Sequence, residues 1–545
     1  DQPREEASGL LSMASPPGSP FPSPPPSPAP QEKAVTTLKP GSANAVVERL
    51  PIWRSGDGIG WQPHTVSGLA CVYSPSISGV VIHGGVAPGS GRSADLAIGT
   101  LTEKGLRWEK LTTNMVIPRR CFHGSALLRG SAGGDQLFLF GGEGEPTRSA
   151  DKKPDDNAPV GPAMMNDCWA VELSTGRTKN LVATHGMPPT PRTHHAIAAL
   201  KDPAPPAPKL AAQALRKKSM GLLMAIRGGM DAATPAAKGP SSGYGATSGN
   251  KESSGGAGAN PLASKLLGGA KPAAPPPKPV GAGASWTILV LGGRNSSAAG
   301  LSAEDTIHVL KVSESGNVIW VPSKEYLSQA IRRRQQAQRV RDASNQMIIE
   351  GLEKDKSPTS SPKSSPPGSP RKPSSPRGFK GSAAAALSAE LEAAEMLKAG
   401  LDSFALLQRS SHTSVVAGAV ALVFGGLCKG KASADLISVR IRDLAVGLVD
   451  TNGTPPAARH SHAATHGGGG MIICGGIDPN ARNCIFDDVH LLSLPSLAWS
   501  TLRMPKLPRT PREPGGKAEI EASPLGRHGH GIASISNGEV IVYGG

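Results

Sequence analysis

Cysteines, aromatic residues and long apolar runs are all scarce in this chain of 545 residues. The six cysteines, Cys71, Cys121, Cys168, Cys428, Cys474 and Cys484, form no Cys-x-x-Cys pair, the spacing that zinc ribbons and redox dithiols use. Cys71, Cys168 and Cys474 fall in apolar runs, where a thiol behaves as a small buried hydrophobe. Reduced thiols of this kind fit a cytoplasmic chain, with the nucleus as the other reading. The longest apolar run, Val415 to Cys428, is about 14 residues and contains glycines, too short to span a bilayer. It matches two short strands joined by a turn. No leading apolar segment resembles a signal peptide, and the chain begins with Asp1. Only 19 residues are aromatic, against 67 Gly and 52 Pro. Gly and Pro together make about a fifth of the chain, above average usage but short of a wholly disordered composition.

What the chain does have is a repeat. Six apolar runs (VVIH, LFLF, ILVL, ALVF, MIIC and VIVY) each end in a glycine pair: Gly84-Gly85, Gly141-Gly142, Gly292-Gly293, Gly425-Gly426, Gly475-Gly476 and Gly544-Gly545. A short β-rich run stopped by residues that tolerate positive φ reads as a strand entering a turn. Ahead of the pair lies a His-bearing segment: Pro118-Arg119…His123, Pro191-Arg192…His195, Arg459-His460-Ser461-His462 and Arg527-His528-Gly529-His530, with looser versions at His64 and Ser411-His412. After it an acidic or amide residue opens a second apolar run, at Asp95, Asn166-Asp167, Asp305, Asp435 and Asp487-Asp488. A Trp-led strand closes the unit at Trp108, Trp320 and Trp499, while units two and four carry TKNL and VGLV there.

Four strands per unit, a Gly pair and a late Trp resemble the kelch repeat of about 50 residues. The resemblance spans nearly all of residues 46–545 and implies an all-β fold, a six-bladed kelch-type β-propeller. Intervals between successive pairs are 57, 151, 133, 50 and 69 residues, so two units carry long insertions. The first, 201–285, is built from Ala, Pro, Gly, Ser and Lys and cannot bury enough apolar surface to offset ordering entropy. The second, 324–409, has helix-forming composition at 324–356, a Ser/Pro-rich centre at 357–380 and an Ala-rich helical stretch at 382–408. Residues 1–34 read as a disordered Ser/Pro-rich tail and 35–545 as one interrupted propeller. Without tail and insertions 340 residues remain, which suits six blades at about 50 each.

Closure of the ring is expected from the N-terminus, with Val46 to Leu50 as the outer strand of the last blade. Strand three is then missing, so the last blade reads as incomplete, and an Asp-led strand beyond Gly545 would fill it. Strand order also sorts the loops. Insertion 201–285 is a one-to-two loop of blade three, while 324–409 joins blades three and four, so the two are expected to leave opposite faces. The loop from Glu143 to Met165 shares the second insertion's face, which near blades two to four is the candidate binding surface.

The formal charge of +16 sits in the insertions. Segment 201–285 holds eleven Lys/Arg against three Asp/Glu, and 324–409 fifteen against nine, leaving about +2 for the rest of the chain, so the propeller is close to neutral. The basic insertions are candidates for contact with RNA or an acidic partner, and Arg332, Arg333 and Arg334 form the one dense cluster. The Ser-Pro sites Ser369 and Ser375 are candidate phosphorylation sites, Ser369 with basic residues following.

No catalytic, cofactor or metal site emerges. His123, His195, His412, His462 and His530 occupy one repeat-equivalent position, and equivalent histidines in separate repeats read as structural, bonding backbone in each turn. His460-x-His462 and His528-x-His530 would place both rings on one strand face, a geometry open to metal, but no carboxylate or Cys completes either set. Gly467 to Gly470 is not followed by Gly-Lys-Ser/Thr and reads as a hairpin turn. Asp155-Asp156 lies in a polar loop and reads as solvated. The resemblance implies a non-catalytic scaffold or adaptor that binds a protein partner through inter-strand loops. Two narrower resemblances point elsewhere. The segment RHSHAATHGGGGMIICGGIDP is similar to the kelch half of the carboxymethyltransferases that finish wybutosine on tRNA, though no methyltransferase glycine motif is present. Substrate adaptors of ubiquitin ligases also use such propellers, with a BTB or F-box domain that this sequence lacks.

Overall fold

The computed structural model describes residues 35–38, 47–50, 63–64, 66–103, 105–130, 134–145, 162–203, 285–297, 300–313, 317–354, 382–481, 485–502, 526–535 and 539–545. Most of it is β-strand in antiparallel sheets, with two long helices. Sheet 1 is Ala70–Ser74, Gly79–His83, Leu96–Thr102 and Gly105–Lys110. Sheet 2 is Gly124–Leu128, Gln136–Gly144, Ala163–Glu172 and Thr178–Asn180. Sheet 3 is Ala196–Lys201, Ser285–Leu291, Ile307–Ser313 and Val318–Val321. Sheet 4 is Thr413–Ala417, Val420–Phe424, Leu436–Arg440 and Val446–Leu448. Sheet 5 is Ala463–Gly467, Gly470–Cys474, Val489–Ser493 and Ala498–Leu502, edged by Asn452–Gly453. Sheet 6 begins with Gly531–Ser534 and Val540–Tyr543.

Sheet 6 corrects the expectation of an incomplete last blade. Val540–Tyr543 pairs with Val35–Leu38, which pairs in turn with Val47–Leu50. Both outer strands come from the N-terminus, and the strand three thought missing is VTTL at 35–38. Its two threonines and flanking valine and leucine suit a strand, but the Asp and long apolar run that mark the other third strands are absent.

Each sheet places its first strand beside that of the next, in the order Ala70–Ser74, Gly124–Leu128, Ala196–Lys201, Thr413–Ala417, Ala463–Gly467, Gly531–Ser534 and back to Ala70–Ser74. Strand two lies between neighbours in its own sheet and is packed on both faces, so its residues are buried almost without interruption rather than alternately. The apolar cores therefore lie between sheets, one cluster in each seam. The late Trp fills a seam: Trp320 lies 5.6 Å from Phe140 of the preceding sheet, Trp499 5.5 Å from Phe424 and Trp108 5.0 Å from Tyr543. Sheet 2 lacks that Trp but brings Trp169 from its third strand to the seam with sheet 1.

Sheet 4 has no Trp to bring. Its seam with sheet 3 is filled by the helical insertion, through Tyr326, Leu327 and Ile331 of helix α1 (Ser323–Lys354) and through Phe404 and Leu407, which follow helix α2 (Ser382–Ser403). Phe404 and Leu407 are fully buried; each such side chain contributes about 1.5–3 kcal/mol of transfer free energy. The boundaries of both insertions move inward accordingly. Lys201 still pairs with Trp286, and Asp202 accepts from Ser285 Oγ at 2.8 Å, Thr287 Oγ1 at 2.7 Å and Lys311 Nζ at 3.2 Å. Arg409, assigned to the second insertion, belongs to the repeat.

The two insertions leave from opposite ends, as expected, but the second does not stay at its own. Helix α1 starts at the Gly-pair end, where Ser323 Oγ donates to the Glu304 carbonyl. It then runs back along the seam, so that Arg334 reaches Asp443, in the turn between strands three and four of sheet 4, at 3.0 Å. That is the hairpin end, from which 201–285 also departs. Burial of Tyr326, Leu327 and Ile331 drives the reversal. Among the described residues no helix is long and apolar enough to cross a membrane.

Candidate functional site

In sheets 2 to 6 the repeated residues form one constellation per sheet. An arginine three residues before the buried His reaches the first glycine carbonyl of its own pair and the acidic residue that opens strand three. Arg120 donates to Gly141 O at 3.0 Å and to both Asp167 oxygens at 2.8 and 2.7 Å. Arg459 does the same with Gly475 O at 3.0 Å and Asp488 at 2.5 and 2.8 Å. Arg409 takes Gly425 O at 2.8 Å and Asp435 at 3.0 Å. Arg192 uses the Gly292 and Asp305 carbonyls at 3.2 and 2.8 Å, and Arg527 reaches Gly544 O at 2.9 Å. Arg120, Arg192 and Arg459 are fully buried. The guanidinium holds the Asp167 and Asp488 carboxylates below the ordinary range, against a burial effect that would raise them.

The sequence reading quoted Arg192, Arg459 and Arg527 without giving them a role, and it missed Arg120 and Arg409. The signal was present: Arg120, Arg192, Arg409, Arg459 and Arg527 all stand three residues before the His. In sheet 2 the reading quoted Arg119, which is exposed and reaches Glu145 only at 3.9 Å. In sheet 1 it took His64 as the loose equivalent, but His64 is exposed and Leu69 and Val66 stand at the His and Arg positions.

All twelve glycines of the six pairs have positive φ, between 59° and 101°. The first glycine of a pair abuts the next repeat. A Cβ at Gly84 would stand 2.5 Å from Arg120 O, at Gly292 2.5 Å from Arg409 O, and at Gly425 2.7 Å from Arg459 O. The Gly-Gly pair is therefore a repeat-to-repeat joint as well as a strand terminator.

Between each arginine and its histidine lies one left-handed residue: Gly68, Phe122, His194, Ser411, Ser461 or Gly529, with φ from 52° to 67°. Their amides form a circuit. Phe122 N donates to Gly68 O at 2.7 Å, His194 to Phe122 at 3.0 Å, Ser411 to His194 at 2.9 Å, Ser461 to Ser411 at 2.9 Å, Gly529 to Ser461 at 2.8 Å, and Gly68 to Gly529 at 2.7 Å. The left-handed residue also corrects the reading of the His-x-His pairs. Ser461 and Gly529 break the strand, so the two rings do not share a strand face: His462 is held inside while His460 bonds Ser461 Oγ at 3.0 Å. Among the described residues no group of three or more His, Cys, Asp or Glu could hold a metal ion.

The inner histidines are structural. His195 Nε2 lies 3.1 Å from Phe140 O and 3.2 Å from Gly124 N, bridging to the preceding sheet. His123 instead meets His83 at 3.1 Å, and His462 meets Thr413 Oγ1 at 2.8 Å. Burial, with a nearby guanidinium, pushes His83, His412 and His530 down to about 3 and His123, His195 and His462 well below 6.5. The Thr413–His462 contact is the nearest thing to a nucleophile and base. Behind it, His462 Nδ1 has no hydrogen-bond partner, so nothing orients the ring as a base.

The inner strands enclose a cavity of about 580 Å³. Its mouth at the Gly-pair end is where the repeats differ. Phe122 stacks on His194, with centroids 4.1 Å apart, and covers Gly68. Beside them Glu143, the residue after the second pair, is buried and receives Arg294 at 2.9 Å and Arg92 at 3.4 Å, with His194 Nδ1 at 3.9 Å. The other end of the cavity carries Arg129 and His466.

The remaining sequence candidates scatter. Arg334 pairs with Asp443, Arg333 lies 5.9 Å over the Tyr326 ring and Arg332 is exposed on α1. Ser369, Ser375, Cys484 and Asp155-Asp156 lie outside the described residues. The other five cysteines are free. Gly467 to Gly470 closes a two-residue hairpin, as read, with Gly468 and Gly469 at φ 59° and 76°.

Residues 390–545 match the family model of the KLHDC2/KLHL20/DRC7 Kelch-repeats domain. No curated protein matches the chain. The chain carries kelch repeats, and the Arg, Gly-pair and His constellation continues through sheets 2 and 3, ahead of the matched segment. Kelch repeats generally mediate contacts between proteins, and such domains are typically non-catalytic.

Proposed function

We propose that the chain is a six-bladed kelch-type propeller, closed by its N-terminal strands, that serves as a non-catalytic scaffold and binds a protein partner across its Gly-pair end. The cyclic order of the inner strands and the circuit of six amides support closure. One observation carries the binding reading. The polar groups that recur in sheets 2 to 6 are buried within the fold, whereas the unrepeated chemistry of Phe122, His194, Glu143 and Arg294 gathers at one mouth. Arg294 is more than half exposed there, while its carboxylate partner is buried, so the guanidinium has donors left for a partner. The scaffold reading is preferred to the tRNA-modifying one because two of the three clustered arginines on α1 already have intramolecular contacts.

The test is to isolate the chain with its bound partners and map lysine cross-links by mass spectrometry. Cross-links should fall on the lysines of the Gly-pair-end loops, which lie within 143–165 and 427–435. Partner cross-links confined to the turns of the hairpin end would reject this face.

A further inference from the structure

Helix α1 leaves the seam after Gln335, and every residue from Gln336 to Met347 is exposed. Helix α2 meets it only along one side, with Leu327 against Gly400 and Gln335 Nε2 donating to Ala389 O at 3.2 Å. Each helix keeps a second apolar stripe facing away. On α1 it is Val340, Ala343 and Met347, with Val340 62% and Met347 59% exposed. On α2 it is Leu387, Leu391 and Ala394, with Leu387 69% and Leu391 63% exposed. Both stripes step by three and four residues, the spacing of a helix-pairing seam. Helical geometry sets these stripes roughly 120° from the sides that already touch, as in a bundle whose helices have two neighbours each.

The borders carry opposite charge. Arg332 and Arg339 flank the α1 stripe, and Glu390 and Glu395 flank that of α2. All four are exposed, and among the described residues none is in an ion pair. One hairpin therefore holds a basic apolar seam and an acidic apolar seam side by side. A two-fold axis would seat each against its complement. We propose that the hairpin end is a self-association surface: α1 packs on α2 of a second copy, and the reverse, making a four-helix bundle. Single-stranded RNA is a poorer occupant, because among the described residues the exposed faces of α1 and α2 offer no aromatic side chain on which bases could stack. An anionic bilayer is disfavoured by the acidic border of α2. The surface is independent of the mouth assigned to a protein partner.

Sedimentation velocity on the full chain should show a reversible dimer that weakens as salt is raised. Met347→Glu with Leu391→Glu should leave a folded monomer, the fold being checked by circular dichroism and melting. Charge reversal makes the test specific. A variant with Arg332→Glu and Arg339→Glu has two acidic seams, and one with Glu390→Lys and Glu395→Lys has two basic seams. Each alone should dimerise roughly tenfold or more weakly, and an equimolar mixture should recover a heterodimer. A wild-type chain that stays monomeric at every concentration overturns the proposal. So does a dimer that survives the Met347/Leu391 pair, or a mixture that fails to associate. Loss of RNA or anionic-vesicle binding in the same variants, without dimerisation of the wild type, would assign the surface to those ligands instead.

Discussion

The two insertions share a net positive charge and differ in what they do for the fold. Both are basic, and both interrupt the repeat near sheet 3. The first meets the fold through a polar staple: Asp202 gathers Ser285, Thr287 and Lys311 at the ends of two strands. The second supplies five buried side chains to a seam that lacks its Trp. Composition reports whether a segment can fold alone. It does not report whether the neighbouring fold has a gap that a few of its residues fill.

The largest effect should therefore come from the second insertion. Phe404→Ala should cost about 3–5 kcal/mol and Leu407→Ala about 2–5 kcal/mol, measured by denaturant unfolding. Asp202→Ala at the base of the first should cost only about 1–3 kcal/mol, since it strands a partly exposed Lys311. Equal costs would erase the distinction.

Lowering the pH sharpens a second contrast, between neutral buried histidines and paired carboxylates. The histidines that burial holds neutral, His83, His123, His195, His412, His462 and His530, have folded values below the ordinary 6.5. Unfolded chain takes up protons first, so their contribution is complete above pH 6.5 and is lost as pH falls from there towards about 3. Each should remove about 1 kcal/mol between pH 6.5 and 5.5. Stability should thus fall well before the carboxylates titrate, and His412→Gln should reduce the slope by one proton. A flat profile between pH 7 and 5 would mean that these rings are not buried neutral.

The arginine clamps give a smaller, graded contrast. Asp488→Ala strands the fully buried Arg459, which is expected to cost about 3 kcal/mol. Asp435→Ala faces Arg409 from a half-exposed position and is expected to cost about 1 kcal/mol. Melting temperatures of the two variants should separate in that order.

Much of the frame was legible because glycine pairs, buried second strands and late tryptophans are local signals. Gly84 to Gly545 mark every joint, and Trp108, Trp320 and Trp499 mark strand four. The failures are non-local. VTTL at 35–38 has no marker of its own and becomes strand three only beside Val540–Tyr543, some five hundred residues away. Tyr326 and Ile331 fall in a stretch read only as helix-forming, because just four positions near its start face a seam. Arg120 was hidden by its neighbour Arg119. The mouth residues Glu143 and Arg294 carry no pattern at all, since binding chemistry is what the repeats do not share.

The central claim is that six repeats close into one ring through the amides of Gly68, Phe122, His194, Ser411, Ser461 and Gly529. Hydrogen–deuterium exchange on the peptides carrying these amides tests it most directly. The account predicts that Gly68 and Gly529, at the closing joint, are protected as strongly as His194 and Ser461 and lose protection with them in denaturant. Fast exchange at Gly68 while Ser411 and Ser461 stay protected would contradict it and leave the ring open between its first and last sheets.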